Sequence, residues 1–318
     1  MRRGTVLNLV LLALAILAPA VGYPVFLMKV LCFALFACAF NLLIGYTGLL
    51  SFGHAAFLGS AGYAAGHAMK VWGFTPELGL VFGMIVAGLL GFVIGGLAIR
   101  RSGIYFAMVT LALSQMVYFF FLQAPFSGGE DGLQGVPRGK LFGVLPLDSD
   151  LTLYYVVLAI FILGFWLIHR TIHSPFGQVL KAIRENEARA LSLGYDVDRY
   201  KLLAFVISAA LSGLAGATKT LVLGFETLTD VHWHMSGEVV LMTLVGGLGT
   251  VWGPVVGAAV IVTLQNELAD KVGAWVTVIT GAIFVVCVLA FRRGIVGELA
   301  ALFKVRKQEP EPVVASDP

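Results

Sequence analysis

Between Lys29 and Lys70 the chain carries no Asp, Glu, Lys or Arg, and the same holds between Glu77 and Arg100, Arg101 and Glu130, and Asp150 and Arg170. A soluble domain cannot hide that much continuous apolar chain, whereas a bilayer demands it: a membrane-crossing helix needs roughly 20 mostly apolar residues. Such runs lie at 5–22, 25–45, 47–69, 78–99, 103–124, 151–169, 202–223 and 273–291, with a ninth apolar stretch at 237–266. A mean hydropathy of +0.93 and 59% hydrophobic against 12% charged residues agree. A membrane β-barrel would alternate apolar and polar residues in segments of about 10. These runs are continuous, so the expected fold is all-α, a polytopic transmembrane helical bundle of about eight spans. Met1 to Ala20 also has the layout of a secretory signal, with Arg2, Arg3 and a small-residue Ala18-Pro19-Ala20 site. It is long enough to span and another run follows at once, so it counts as the first span.

Orientation follows from where Lys and Arg collect, which is the cytoplasmic side of short loops. Arg2 and Arg3, Arg100 and Arg101, the segment 170–201, and Arg292 to Lys307 mark four cytoplasmic regions. The stretch 125–150 is acidic on balance, and 224–236 holds Glu226 and Asp230 without a Lys or Arg, so both face outward. With the N- and C-termini both cytoplasmic, 237–266 must enter and leave on one side. A helix over those residues would extend about 45 Å at 1.5 Å per residue, too little for two crossings of a roughly 30 Å core. A re-entrant hairpin or pair of half-helices is expected, broken within "GGLGTVWGP" at Gly246, Gly247, Gly249, Gly253 and Pro254. Non-helical backbone at membrane depth is tolerated when buried in protein or lining a watery cavity. That makes the break either part of a translocation path or hinge, or a close-packing contact between helices.

A second Gly/Ser-rich break occupies 45–66. Ser51, Gly53, His54, Ser60 and Tyr63 put polar or small groups into an apolar span, either along the path or as hydrogen bonds between packed helices. The spacing of the glycines in the two breaks is similar, a hint of an internal repeat. His232 and His234 flank Trp233, a pattern open to a metal or to an interfacial loop. Cys32, Cys38 and Cys287 match no metal or disulfide spacing. "GLAGATKT" at 213–220 nearly spells a phosphate-binding loop, but it lies in an apolar helix with no strand before it, so no nucleotide site is expected. No cofactor or metal is expected. No Asp or Glu falls in the middle of a span, which argues against an ion-coupled carrier and for movement driven from elsewhere.

The charge lies instead in "AIRENEARALSLG", 182–194. The spacing predicts an amphipathic helix over Gln178 to Leu193 ended by Gly194, with Glu185 and Arg189 paired at i,i+4. A helix with both charges and apolar residues suits a groove on a soluble partner or a simply solvated loop.

Together, "SPFGQVLKAIRENEARALSLGYDVDRYKLLAFVISAALSGLAGA" at 174–217, "GYTGLLSFGHAAFLGSAGY" at 45–63, "GIYFAMVTLALSQM" at 103–116, "SGGEDGL" at 127–133 and "LVGGLGTVWGPVVGA" at 244–258 resemble permease subunits of branched-chain amino acid ABC importers. The resemblance implies a second, paralogous permease subunit, two cytoplasmic ATPases, an extracytoplasmic amino-acid-binding protein, and the bacterial cytoplasmic membrane as location. It implies an ATPase-coupling loop at 170–201 carrying Arg184, Glu185, Glu187, Ala188, Arg189 and Gly194. Glu187, Ala188 and Gly194 resemble the Glu-Ala-Ala…Gly signature of ABC importers, with Arg189 as a departure. The chain is then one transmembrane permease domain, 1–303, plus a polar tail, 304–318, expected to be disordered. ATP hydrolysis would belong to the partners. Importers of urea or short amides, and a stand-alone channel or ion-coupled carrier, are the alternatives.

Overall fold

The computed structural model describes residues 14–20, 22–143 and 145–275, with short pieces at 278–279, 281–282, 285 and 294–298. The expected first and last spans, Cys287 and the tail lie wholly or largely outside these residues. The long helices are α1 (Pro24–Thr47), α2 (His54–Lys70), α3 (Pro76–Ala98), α4 (Ile104–Gln123), α5 (Asp150–Ile172) and, after two short helices, α8 (Val197–Leu223). Of these α1, α3, α4, α5 and α8 are long and apolar enough to cross a membrane. Prolines open α1 and α3, where the missing N–H costs nothing. The run expected at 47–69 divides, because Gly48 takes φ +76° and ends α1. Residues 49–53 are non-helical and α2 begins only at His54.

Packing is graded from the inside out. Helix α1 is central, and Phe33, Phe36, Phe40, Leu42 and Leu43 on it are all buried. Helix α3 buries a stripe of small residues four apart, Gly79, Gly83, Ala87, Gly91 and Gly95, while Leu78, Val81, Ile85, Leu89 and Phe92 are exposed. A Cβ placed on Gly83 would lie 3.0 Å from the Cβ of Ala217 in α8. The two backbones therefore approach as small-residue stripes allow, and the large side chains are left for lipid.

At one end of the bundle, β1 (Leu133–Gln134) pairs antiparallel with β4 (Phe225–Glu226), with Leu133 opposite Glu226. The short hairpin of β2 (Lys140–Leu141) and β3 (Leu145–Pro146) lies in the same loop. Lys70 Nζ at the end of α2 donates to Gln134 O at 2.7 Å, and Arg138 pairs with Asp150 at 2.7 Å. The acidic loop, the end of α2 and the end of α8 thus form one surface. At the opposite end lie α6 (Pro175–Glu185) and α7 (Glu187–Ser192).

The stretch 237–266 is a helical hairpin of α10 (Trp233–Gly246) and α11 (Gly253–Val272), preceded by the single turn α9 (Leu228–Val231). Helix α10 runs from the β1–β4 end to the turn, and α11 packs back along it from Gly253, with Gly257 against Met242. The turn, however, reaches the level of Gly45 near the end of α1, beside α6, rather than reversing halfway. More chain is available than residues 237–266 alone. Helix α11 continues to Val272 and alone extends about 30 Å at 1.5 Å per residue. The other arm is completed by residues 224–232, which dip into the bundle so that Val231 packs on Gly59 and Glu226 on Gly62.

Candidate functional site

Ser174 Oγ accepts from Gly177 N at 3.3 Å and opens α6 behind Pro175. One face of α6 buries Leu180 and Ile183, and Ile183 joins Ala190 of α7 and Val197 of α8 in a small apolar cluster. The single helix expected over Gln178 to Leu193 is in fact two. Asn186 leaves helical geometry at φ −157° and ψ 99°, and its side chain accepts from Arg189 N at 3.0 Å to cap α7. Glu185 and Arg189 therefore sit on different helices, and no ion pair joins them. Glu187 instead pairs with the buried Lys201 of α8 at 2.7 Å. Gly194 has φ +87°, a left-handed position that stops the chain as expected. Beyond this ion pair, Ala188, Arg189, Leu191 and Leu193 face outward; Leu191 is 63% and Leu193 69% exposed.

Arg184, expected among the coupling residues, stays exposed but reaches the end of α1. Its guanidinium donates to Gly45 O in the last turn of α1. Asn41, one turn earlier, donates to Thr250 O at 2.9 Å and accepts from Gly249 N at 3.0 Å. A Cβ on Gly249 would lie 3.2 Å from both Arg184 Nη1 and Gly45 O. The two glycine-rich breaks, far apart in sequence, thus meet beside α6. The hairpin turn is closed by Thr250, whose hydroxyl donates to Gly247 O at 2.8 Å and accepts from Gly253 N at 3.0 Å. Gly247 takes φ +120° there, and Pro254 stands in the first turn of α11.

The polar residues of the first break do not converge on one cavity. Ser51 accepts from Gly53 N at 3.1 Å, and Thr110 of α4 accepts from Phe52 N at 3.1 Å, so the non-helical backbone is satisfied by side chains. His54 Nε2 shares a 2.9 Å hydrogen bond with Ser208 of α8, whose hydroxyl donates on to Ala39 O at 2.6 Å. Phe40, Phe57 and Phe205 surround the imidazole edge-on. Ser60 borders an open apolar groove of about 490 Å³ between α3 and α4, lined by Leu90, Val93, Val117 and Phe121. Tyr63 stacks on Phe121 at 4.7 Å. His232 and His234 stack at 5.1 Å. No group of three metal-ligating side chains occurs among the described residues.

One charged group escaped the sequence reading. Lys219, inside the apolar helix α8, forms a closed ion pair with Asp230 of α9. Asp230 also accepts from Thr227 Oγ1 at 2.8 Å. Beside it the fully buried Glu226 accepts from Thr220 Oγ1 at 2.5 Å. The signal was present, since a lysine in the interior of an apolar run marks a buried partner.

The family model described as branched-chain amino acid transport system, permease component, matches residues 24–288. The chain is 26% identical to the high-affinity branched-chain amino acid transport system permease protein LivM of Salmonella typhimurium, over 90% of this chain and 74% of that one. The LivM protein of Escherichia coli gives the same identity and coverage. The chain is also similar to the ribose import permease protein RbsC of Bacillus subtilis, at 29% identity over 67% of this chain and 72% of that protein.

Proposed function

Because the chain belongs to the family of permease components of branched-chain amino acid transport systems, we propose that it forms half of the membrane pathway of an ATP-driven importer. In this reading it moves branched-chain or other hydrophobic amino acids inward by alternating access. A second permease subunit completes the pathway, one of the two ATPases binds at α6 and α7, and a binding protein delivers substrate to the β1–β4 end. ATP hydrolysis belongs to the partners. Both termini and the loop 170–201 lie in the cytoplasm, and the membrane is the bacterial inner membrane.

The observation that carries this reading is the exposed face of α7 and its cap. Leu191 and Leu193 stand exposed at the end of the bundle remote from the acidic loop, in a loop this reading places in the cytoplasm. Burying a leucine contributes about 1.5–3 kcal/mol, so Leu191→Arg with Leu193→Arg should lower ATPase retention on purification by at least tenfold. Asp198→Arg, exposed on α8, should leave retention within twofold. Retention by the double variant at the normal level would remove α7 as the docking surface. A chain that transports without ATPases would favour a channel or ion-coupled carrier instead. The substrate class is tested by competition for uptake among leucine, valine, ribose and urea, since one relative bears a sugar's name.

Topology has its own test. In a background without the three native cysteines, cysteine at the exposed Thr229 should react with an impermeant thiol reagent from outside. Cysteine at Leu248, in the hairpin turn, should react only from the cytoplasmic side. Labelling of both from outside would place the turn, and with it the loop 170–201, on the wrong face.

A further inference from the structure

We infer that Arg184 is the residue through which movement of the coupling loop reaches the membrane-embedded helices, by holding the end of α1 and the turn of the α10–α11 hairpin in one joint. The inference rests on the proposed ATPase docking at α6 and α7. It names a contact that neither the docking surface nor the family assignment supplies.

Three features of the joint support it. The last carbonyls of a helix lack partners within it, and the chain after α1 does not repair this: Leu49 N turns to Thr47 Oγ1 at 3.4 Å instead. Gly45 O is therefore an open acceptor at the negative end of the α1 dipole, and a guanidinium is suited to both. Lys181, one turn earlier on α6, lies 5.7 Å over the Tyr46 ring and adds a second cation at the same helix end. The hairpin turn is then bound to α1 by the two Asn41 hydrogen bonds rather than by apolar packing alone. Finally, the joint exists only because side chains are missing. A Cβ on Gly45 would lie 2.8 Å from Gly249 N, and Gly249 takes φ +72°, where L-residues are strained.

Arg184 is itself exposed on α6, so its contacts are not a by-product of core burial. Displacing α6 pulls on Gly45 O directly and on Gly249 through the Asn41 hydrogen bonds that tie the turn to α1. Helix α1 is the central element and packs on α5, α8 and α11. Two breaks that are weak points in their helices thereby move as one unit. That is what a rigid input needs if it is to open one end of a pathway while closing the other.

The test uses the assembled importer in proteoliposomes. Arg184→Met keeps the aliphatic stem, which lies against Gly48, and removes the guanidinium. The expected result is ATPase retention within twofold of the parent, uptake lowered at least tenfold, and ATP hydrolysed per substrate imported raised at least tenfold. Arg184→Lys restores a cation without the fork and should recover part of the coupling ratio. Asn41→Leu, which frees the hairpin turn without touching Arg184, should raise the same ratio. Normal uptake in Arg184→Met overturns the inference. So does a parallel fall of uptake and hydrolysis at constant ratio, which marks a purely structural role, and so does loss of the ATPases, which makes Arg184 a docking residue. Failure of the underlying reading would look different, because the parent importer would then take up substrate without ATP.

Discussion

Replacing Lys219 with methionine is expected to destabilise the assembled permease by about 3–5 kcal/mol, the cost of removing one partner from a buried ion pair. Methionine fills nearly the same volume, so the loss is electrostatic rather than a cavity. Lys219 and Asp230 are each 6% exposed at the side chain, and Glu226 lies beside them fully buried. The parent cluster sets one cation against two carboxylates, with Thr220 and Thr227 donating to them. Without the lysine both carboxylates are stranded among helices α2, α8 and α9. The consequence is specific in place: residues 224–231 dip into the bundle because this cluster holds them there, so their loss should release the β1–β4 contact at the same end. The measurement is the thermal midpoint of the purified complex, together with labelling of cysteine at Thr229 or Thr227. Adding Asp230→Asn to Lys219→Met removes one stranded charge and keeps an acceptor for Thr227, and it should recover a large part of the lost stability. A Lys219→Met variant with the parent midpoint would mean that the amine reaches water and the pair is not closed.

The membrane class was legible because the constraint is coarse: a long run without charges has few places to go. One helix end was legible where a residue forces it, at Gly194, whereas the end of α1 at Gly48 fell inside a run expected to span. The break at Asn186 carried a readable signal, an asparagine of the type that caps helices, outvoted by the longer 3.6-residue period across it. What could not be read was which distant segments meet. Asp230 and Glu226 looked like ordinary charges of an outer loop, because nothing in local spacing says that a loop folds back into the bundle. Arg184 looked like one charge among several on a solvated or docking helix, and its partner Gly45 and neighbour Gly249 are glycines that advertise only a break. The path candidates Ser51, His54, Ser60 and Tyr63 were grouped by nearness in sequence, yet each found a separate environment.

Gly257→Ala is expected to abolish both assembly and uptake. A Cβ on Gly257 would overlap the carbonyl of Met242 and lie 2.9 Å from Gly246 N. Likewise, a Cβ on Gly246 would overlap the carbonyl of Gly253. These neighbours are backbone, so no rotamer change relieves the overlap, and α10 and α11 must separate. Overpacking typically costs about 1–3 kcal/mol where side chains can yield, and here the cost should lie at or above that upper end. Separation also shifts the turn between the two helices, where Gly249 N is held by Asn41 and faces Arg184, so the joint beside α6 is lost along with the packing. Two controls bracket the effect. At Gly53 the nearest atoms to an added Cβ are Thr110 O at 3.3 Å and Ser51 Oγ at 3.4 Å, and φ is −93°, so Gly53→Ala needs only a small adjustment and should retain assembly. At Gly96, inside α3, nothing lies within 4 Å, and Gly96→Ala should gain up to about 1 kcal/mol from helix propensity. Assembled complex recovered on purification and its thermal midpoint should rank Gly257→Ala far below Gly53→Ala, and Gly96→Ala at or above the parent. If Gly257→Ala matched Gly53→Ala, the hairpin helices would be free to part, and a turn that slides so easily could not transmit a push from α6.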